Sequence, residues 1–375
     1  MRDAIIVEPA RRTADSSVAT VRIGRTSQDV SFRLRGIAPS PLDDPFLPPA
    51  LLLGMRLRRP VRIEGPVSKT LLASIPVVVE NLLAWYPALR GVEVTAPAPV
   101  EPPPPRPGGV ASFFSAGLDS FYSALRPPRD VTHLIFVHGF DIRLEDRALR
   151  EAVAQRVRDA STELGTTLVE AETDLRRWSD PHADWTWYCH AGLVAVALLA
   201  GHALAEVRIP ATIADAHRPA ALRGPRRGTW NDGLARIVSD GAEATRPQKA
   251  RVVADCEAAR RSLRVCWENR EGRYNCLACA KCLRTMVALE VVGVRDRFDD
   301  FRGPLDLAAV ARLAPRRGSD RRMLEECLWE TEGHPHLEPV AAALRTALAQ
   351  GARGRWRSWL GTAARLRRPH RRRAS

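Results

Sequence analysis

Between Ala96 and Gly109 the chain reads Ala-Pro-Ala-Pro-Val-Glu-Pro-Pro-Pro-Pro-Arg-Pro-Gly-Gly. Proline removes a backbone donor and also restricts the residue before it, so such a run is expected to form neither helix nor sheet. It reads as a stiff linker over 98–109 that divides the chain. Residues 1–97 alternate like strands at 19–23, 30–34 and 61–64, turn helical in period from Lys69 to Trp85, and return to a strand at 92–94, which predicts a small α+β domain. A chain of 375 residues, 45% of them hydrophobic, has room for two or three domains with a sizeable core.

Beyond the linker, strands at 110–114, 133–137, 167–170 and 207–212 alternate with helices, including 147–164 and 185–205. That order predicts an α/β domain over 110–255 built on a doubly wound parallel sheet, with ligands in the crevice at the carboxyl ends of the strands. Three polar clusters fall at those ends: Ser115 to Ser120, His138-Gly139-Phe140-Asp141, and Ile213-Ala-Asp-Ala-His217. His138, Asp141, Asp174, His190, Asp215 and His217 are candidates to bind a substrate or shuttle a proton, although a single His or Asp is often only a hydrogen-bonded structural residue.

Ser115-Ala116-Gly117-Leu118-Asp119-Ser120 follows an apolar strand and opens an amphipathic segment. Small residues let a backbone approach a phosphate, and a helix start offers unpaired N–H groups and a positive dipole end. Thr245-Arg246-Pro-Gln-Lys249 sets two cations about one turn apart at another helix start, a clamp for phosphate or carboxylate if it is not simply solvated. Cys266, Cys276, Cys279 and Cys282 form a C-x9-C-x2-C-x2-C module. That spacing turns four thiolates toward one centre and suits a closed, structural Zn²⁺ site; an iron–sulfur cluster and cysteines that bind nothing are the alternatives. The module opens a segment, 256–350, whose other elements read as amphipathic helices at 283–292, 305–313, 321–329 and 337–350.

The hexapeptide resembles the Ser-Gly-Gly-x-Asp-Ser pyrophosphate loop, or PP-loop, of the N-type ATP pyrophosphatases, with Ala116 where that family has a glycine. The loop, the Thr-x-x-x-Lys element and the cysteine module, in that order over about 110–290, resemble the 7-cyano-7-deazaguanine synthase family. The resemblance implies an adenine nucleotide alpha hydrolase-like fold and an enzyme in which ATP adenylates a small-molecule carboxylate or amide, releasing pyrophosphate for attack by ammonia or an amine. It implies that Ser115, Ala116, Gly117, Leu118, Asp119 and Ser120 bind ATP, with Asp119 near Mg²⁺; His138, at the end of the second strand, is a further candidate to bind the nucleotide. Asp119, Ser120, Arg246 and Lys249 would serve the chemistry, and the four cysteines would hold a structural zinc. The N-terminal segment and the loop from Arg218 to Gly233 have no counterpart in that pattern, so the deazaguanine product is not implied. The same loop also serves thiolation of a tRNA base, for which Cys189 is the best placed isolated thiol. A zinc-stabilised nucleotide-binding protein without catalysis is the third reading, with Ala116 as its mark.

The net charge is +14, and nine arginines with no acid lie within 351–375. That tail, with Trp356 and Trp359 among the arginines, could hold nucleic acid or an anionic surface, or simply be a frayed, disordered end. Arginine outnumbers lysine 54 to 3, so Lys69, Lys249 and Lys281 stand out. No signal-peptide core and no membrane-length apolar run is visible, and a cytoplasmic location is expected. The sequence leaves the oligomeric state open.

Overall fold

The computed structural model describes residues 4–104, 108–215, 230–315 and 318–350. Strands β1 (Ile5–Val7), β2 (Arg11–Arg12), β3 (Ser16–Ile23) and β4 (Thr26–Arg35) come first, followed by helix α1 (Leu47–Leu57). Then come β5 (Val61–Ile63), β6 (Val67–Ser68), α2 (Lys69–Trp85), β7 (Val94–Thr95) and β8 (Pro99–Val100). Helix α1 begins with Pro48 and Pro49, where a missing N–H costs nothing because the first turn has no acceptor for it. The linker expectation needs one correction, since Pro99–Val100 pairs in parallel with Val67–Ser68. Proline can occupy such a two-residue edge ladder, where few of its backbone groups must donate.

The second half alternates as expected: β9 (Gly109–Phe113), α3 (Leu118–Leu125), β10 (Val131–His138), α4 (Arg147–Glu163) and β11 (Thr167–Thr173). The short α5 (Leu175–Ser179), then α6 (Trp185–Ala200), β12 (Leu204–Pro210) and β13 (Arg236–Asp240) follow. Helix α6 ends five residues before the expected 205, because the apolar run continues into β12 rather than along the helix. Helices α7 (Arg246–Ala254), α8 (Glu257–Ser262), α9 (Ala280–Val291), α10 (Leu307–Ala311) and α11 (Gly318–Trp329) and a last helical stretch over 338–350 complete the described chain. No helix among the described residues is long and apolar enough to cross a membrane.

The fold is α/β around a mostly parallel central sheet, in the order β13-β12-β9-β10-β11-β4-β3-β1-β5-β7 with β2 on β3. Strands β13 through β11 are all parallel, whereas β4 joins β11 antiparallel and carries the N-terminal strands onto the same sheet. The backbone N–H of Ser31 donates to Asp174 Oδ1 at 2.7 Å across that junction. Strand order reverses at β9, which has β10 on one side and β12 on the other, and the crevice at its carboxyl end is where ligands bind in such sheets.

The period of two splits β10 between two cores. Leu134 and Phe136 pack on the face covered by α3, α4 and the cysteine segment, and Ile135 packs on the face covered by α1 and α6. Helix α6 is apolar nearly all round because it is covered by both the sheet and α1, with Tyr188 Oη donating to Pro49 O at 2.8 Å. A third core lies between α9, α10, α11 and the last helical stretch.

Candidate functional site

The Ser115–Ser120 loop leaves β9 at the strand-order reversal. Ala116 adopts a left-handed φ of +56° and is fully buried, while Gly117 caps α3. The loop is closed internally: Ser120 Oγ donates to Gly117 O at 2.9 Å and accepts from Ser115 N at 3.3 Å. From outside, Arg264 N donates to Ala116 O at 2.8 Å, so the segment just before Cys266 braces the loop.

Asp119 lies in the first turn of α3, and Thr245 caps α7 in a reciprocal capping box with Gln248. This start presents Arg246 and Lys249 inward rather than to solvent. Lys249 Nζ donates to Asp119 Oδ1 at 3.1 Å and to Ala211 O, and stands 5.6 Å from the centre of the Tyr122 ring. Arg246 donates to Asp119 Oδ2 at 3.3 Å and to Thr285 Oγ1 at 3.0 Å. Burial works to raise the Asp119 pKa, but the charges of Lys249 and Arg246 outweigh it and the carboxyl stays below its usual range.

A cavity of about 290 Å³ opens beside the loop. Ser115, Gly117, Asp119, Ser120, His138 and Asp141 all line it, as does Arg246. Gly139, at φ +91°, makes the turn after β10 that sets Phe140 and Asp141 on the wall; a Cβ there would lie 2.0 Å from Thr173 O. His138 Nε2 pairs with Glu170 Oε2 at 2.8 Å, and this bond, helped by Arg158, holds Glu170 at about 2 despite partial burial. Asp141 faces Lys281 Nζ at 3.3 Å; burial pushes its pKa up, and Lys281 and Arg264 more than reverse that.

The other candidates lie elsewhere. Asp174 is bonded to Ser31, whereas the exposed His190 and Asp215 are not part of the cavity wall. His217, the loop over 216–229 and the Arg-rich tail lie outside the described residues. Cys189, singled out as an isolated thiol, is in the wall. Sequence reasoning missed Arg264 and the apolar wall of Phe140, Trp185 and Leu193, and it flagged Lys281 without giving it a place. Lys281 carried a signal, as one of three lysines; Arg264 carried none among 54 arginines.

Four buried cysteines, Cys266, Cys276, Cys279 and Cys282, place their sulfurs within 4.8 Å of one another. Sulfurs around a tetrahedral zinc lie about 3.8 Å apart, and Cys276 and Cys282 stand at 4.0 Å. The four residues can therefore hold a metal such as zinc. The N–H groups of Cys279 and Cys282 donate to Cys276 Sγ at 3.3 Å and Cys279 Sγ at 3.4 Å, the hydrogen bonds that suit thiolates. The knuckle delivers two residues to the cavity, Arg264 ahead of Cys266 and Lys281 between Cys279 and Cys282. No protein-family model matches the chain, and comparison with curated proteins and with solved structures finds no match either.

Proposed function

We propose that the chain is an ATP pyrophosphatase-type ligase of the PP-loop kind. In this reading ATP phosphates lie along Ser115–Ser120, and a carboxylate or amide oxygen of a small substrate attacks the α-phosphorus. The bond from that phosphorus to its bridging oxygen breaks and pyrophosphate leaves. Ammonia or an amine then attacks the activated carbon, AMP leaves with the electron pair, and the amine's proton goes to solvent. Activation makes a good leaving group of a poor one, and the protein's part is positioning and charge stabilisation. The observation that carries the reading is the joining of Asp119 on the loop to Lys249 and Arg246, two cations from α7.

Lys249 and Arg246 supply fixed positive charge where the α-phosphate and the departing pyrophosphate accumulate negative charge. Asp119 orients both cations. Magnesium brought with ATP would share Asp119 with Lys249 and Arg246 and would complete its shell from phosphate oxygens and water. The cysteine centre, with four protein ligands and no open position, serves structure; zinc there would hold the knuckle that carries Arg264 and Lys281. The 7-cyano-7-deazaguanine synthase family provides the pattern for loop, lysine and knuckle, and the product here is left to the cavity's own chemistry.

A second reading, thiolation of an RNA base, draws on Cys189 in the cavity wall, where a persulfide would face the activated carbon. The test is pyrophosphate release from ATP with a panel of carboxylic acids and ammonium. Wild type should release it with at least one acid, and Asp119→Ala should release it at least about a hundredfold more slowly, as expected when fixed charge at the reacting centre is lost. Equal release by both proteins would overturn the reading. Release that needs a sulfur donor and RNA in place of ammonium would favour thiolation.

A further inference from the structure

Four side chains in the cavity wall hold a buried nitrogen with no hydrogen-bond partner among the described residues: His138 Nδ1, Trp185 Nε1, Arg246 Nε and Arg264 Nε. Each of the four residues is less than 9% exposed. Buried polar atoms without partners are costly, so several in one wall, three of them N–H donors, mark a ligand's place. They divide into two neighbourhoods. Arg246 belongs with Asp119, whereas the Arg264 side chain lies on the side of Asp141 and Lys281, where Phe140, the chain neighbour of Asp141, packs on Trp185.

In this second neighbourhood the charges do not cancel. Arg264 and Lys281 face one carboxylate, Asp141. Of the wall's other cations, Arg150 is matched by Glu172 at 2.9 Å and Arg284 by Asp320 at 3.0 Å, whereas Arg246 shares Asp119 with Lys249 at the loop. Two cations and one anion leave one positive charge, which a ligand with one negative charge neutralises at the buried Arg264, while Lys281 and Asp141 stay about 40% exposed toward the open side. Arg264 is aimed, because Asn269 Oδ1 accepts from Nη2 at 2.6 Å while its Nε stays open.

The adjoining surface is apolar. Trp185, Cys189 and Leu193 recur every four residues along α6 and so share one face, which lines the cavity with Phe113, Ile135 and Val137 from the sheet. Phe140 stacks edge-on against Trp185 at 4.8 Å, fixing the aromatic corner beside Asp141. Among the described residues this corner offers a single open donor, Trp185 Nε1. A sugar or purine would leave its polar edges unmatched here, and sites discriminate strongly against ligands whose polar groups stay unpaired.

We infer that this compartment takes an apolar monocarboxylic acid, its hydrocarbon or aryl body on Trp185, Leu193 and Phe140 and its carboxylate at Arg264 and Lys281, with room for at most one acceptor toward the indole N–H. The assignment names the substrate class of the ligase proposed above and rests on that reading. The carboxylate then lies in the same cavity as the loop that would hold ATP.

The test is calorimetric titration of the full chain with 3-phenylpropionate, cyclohexanecarboxylate, succinate and gluconate, alongside a separate titration with ATP. The two apolar acids should bind at least about tenfold more tightly than succinate or gluconate, as a matched pocket favours its ligand. Leu193→Asn, with its fold checked by circular dichroism, should erase that preference, and Arg264→Met should weaken all four acids. Equal binding of the four acids overturns the inference, as does displacement of 3-phenylpropionate by AMP, which would make the apolar corner the adenine's. Apolar-acid binding by a protein that binds no ATP would uphold the compartment and sink the ligase reading instead.

Discussion

Lys249 Nζ lies 3.1 Å from Asp119 Oδ1, a pair 130 residues apart in sequence, and Lys249 is only 1% exposed. A lysine so buried needs an anionic partner, and its charge helps hold the Asp119 carboxyl below its usual range. Removing Asp119 strands both Lys249 and Arg246, and stranding a buried charge typically costs about 3–5 kcal/mol, whereas removing Lys249 leaves Asp119 with Arg246. Asp119→Leu should therefore lower the urea midpoint sharply, while Lys249→Met with Asp119→Leu should lose less than the two single changes summed, because the double variant strands only Arg246. Additive losses would mean the pair is not coupled. The Asp119 carboxyl is held below its usual value of 3.8, so its contribution is complete above that pH and fades as pH falls through the lowered folded value.

Ala116 tests whether the loop is compromised. Its left-handed backbone costs about 1–2 kcal/mol. Against that, Ala116→Gly would lose a buried methyl worth about 0.8 kcal/mol and gain unfolded-state freedom worth about 0.4–1 kcal/mol. Those effects nearly cancel, so Ala116→Gly should move stability by less than about 1 kcal/mol. Ala116→Val, β-branched and fully buried at φ +56°, should be far worse. Thermal melts of both variants check this, and a large gain from glycine would show that the strain dominates.

Asp44 is predicted to give the protein a stability that declines toward alkaline pH. Burial pushes its carboxyl up to about 7 from 3.8, with Asp232 and Asp43 adding to the effect, even though Ser68 N donates to Oδ1 at 2.8 Å. A raised carboxyl pKa favours the neutral acid in the fold. The stabilisation is full below the unfolded value and is lost as pH rises through the folded one. Asp44→Asn keeps an acceptor for Ser68 and cannot ionise, so near about pH 8 it should be the more stable protein, by at most roughly 4 kcal/mol. Parallel unfolding curves for wild type and variant across that range would contradict the assignment.

Metal removal should be felt at the loop. Arg264 N holds Ala116 O at 2.8 Å, and Cys266 belongs to the same core cluster as Ala116, Leu118 and Phe121. Chelation, or Cys276→Ser, should speed amide exchange over 114–121 as well as in the cysteine segment, and returning zinc should release protons as thiols become thiolates. Loop amides that do not respond would show that the knuckle and loop are independent. Bound iron with labile sulfide in place of zinc would assign the centre to a cluster.

How much was legible depended on how local the signal was. Helix α2 matches its expected span, Lys69 to Trp85, because an unbroken apolar period follows a capping Ser68 whose side chain accepts from Leu71 N. The start of α7 was equally plain from Thr245 and Gln248. Helix α1 was not singled out, and its two prolines, which would break a helix interior, stand at its start, where they favour one. Strand β13 was missed because its five residues sit in loop-like surroundings and are specified by pairing with β12, not by their own pattern. Arg264 could not be singled out among so many arginines.

By itself the sequence determined what short-range physics controls: the alternation of strands and helices after the linker, the helix start that carries Arg246 and Lys249, and four cysteines spaced to meet. Tertiary structure alone decided that the N-terminal strands join the same sheet through β4 and β11, and that Arg246 and Lys249 turn inward onto Asp119. It also decided that the cysteine segment braces the loop and places Arg264 and Lys281 at the cavity. The reason is energetic. A buried charge is tolerable only beside its partner, and that partner is fixed by packing across more than a hundred residues, a relationship that no local periodicity records.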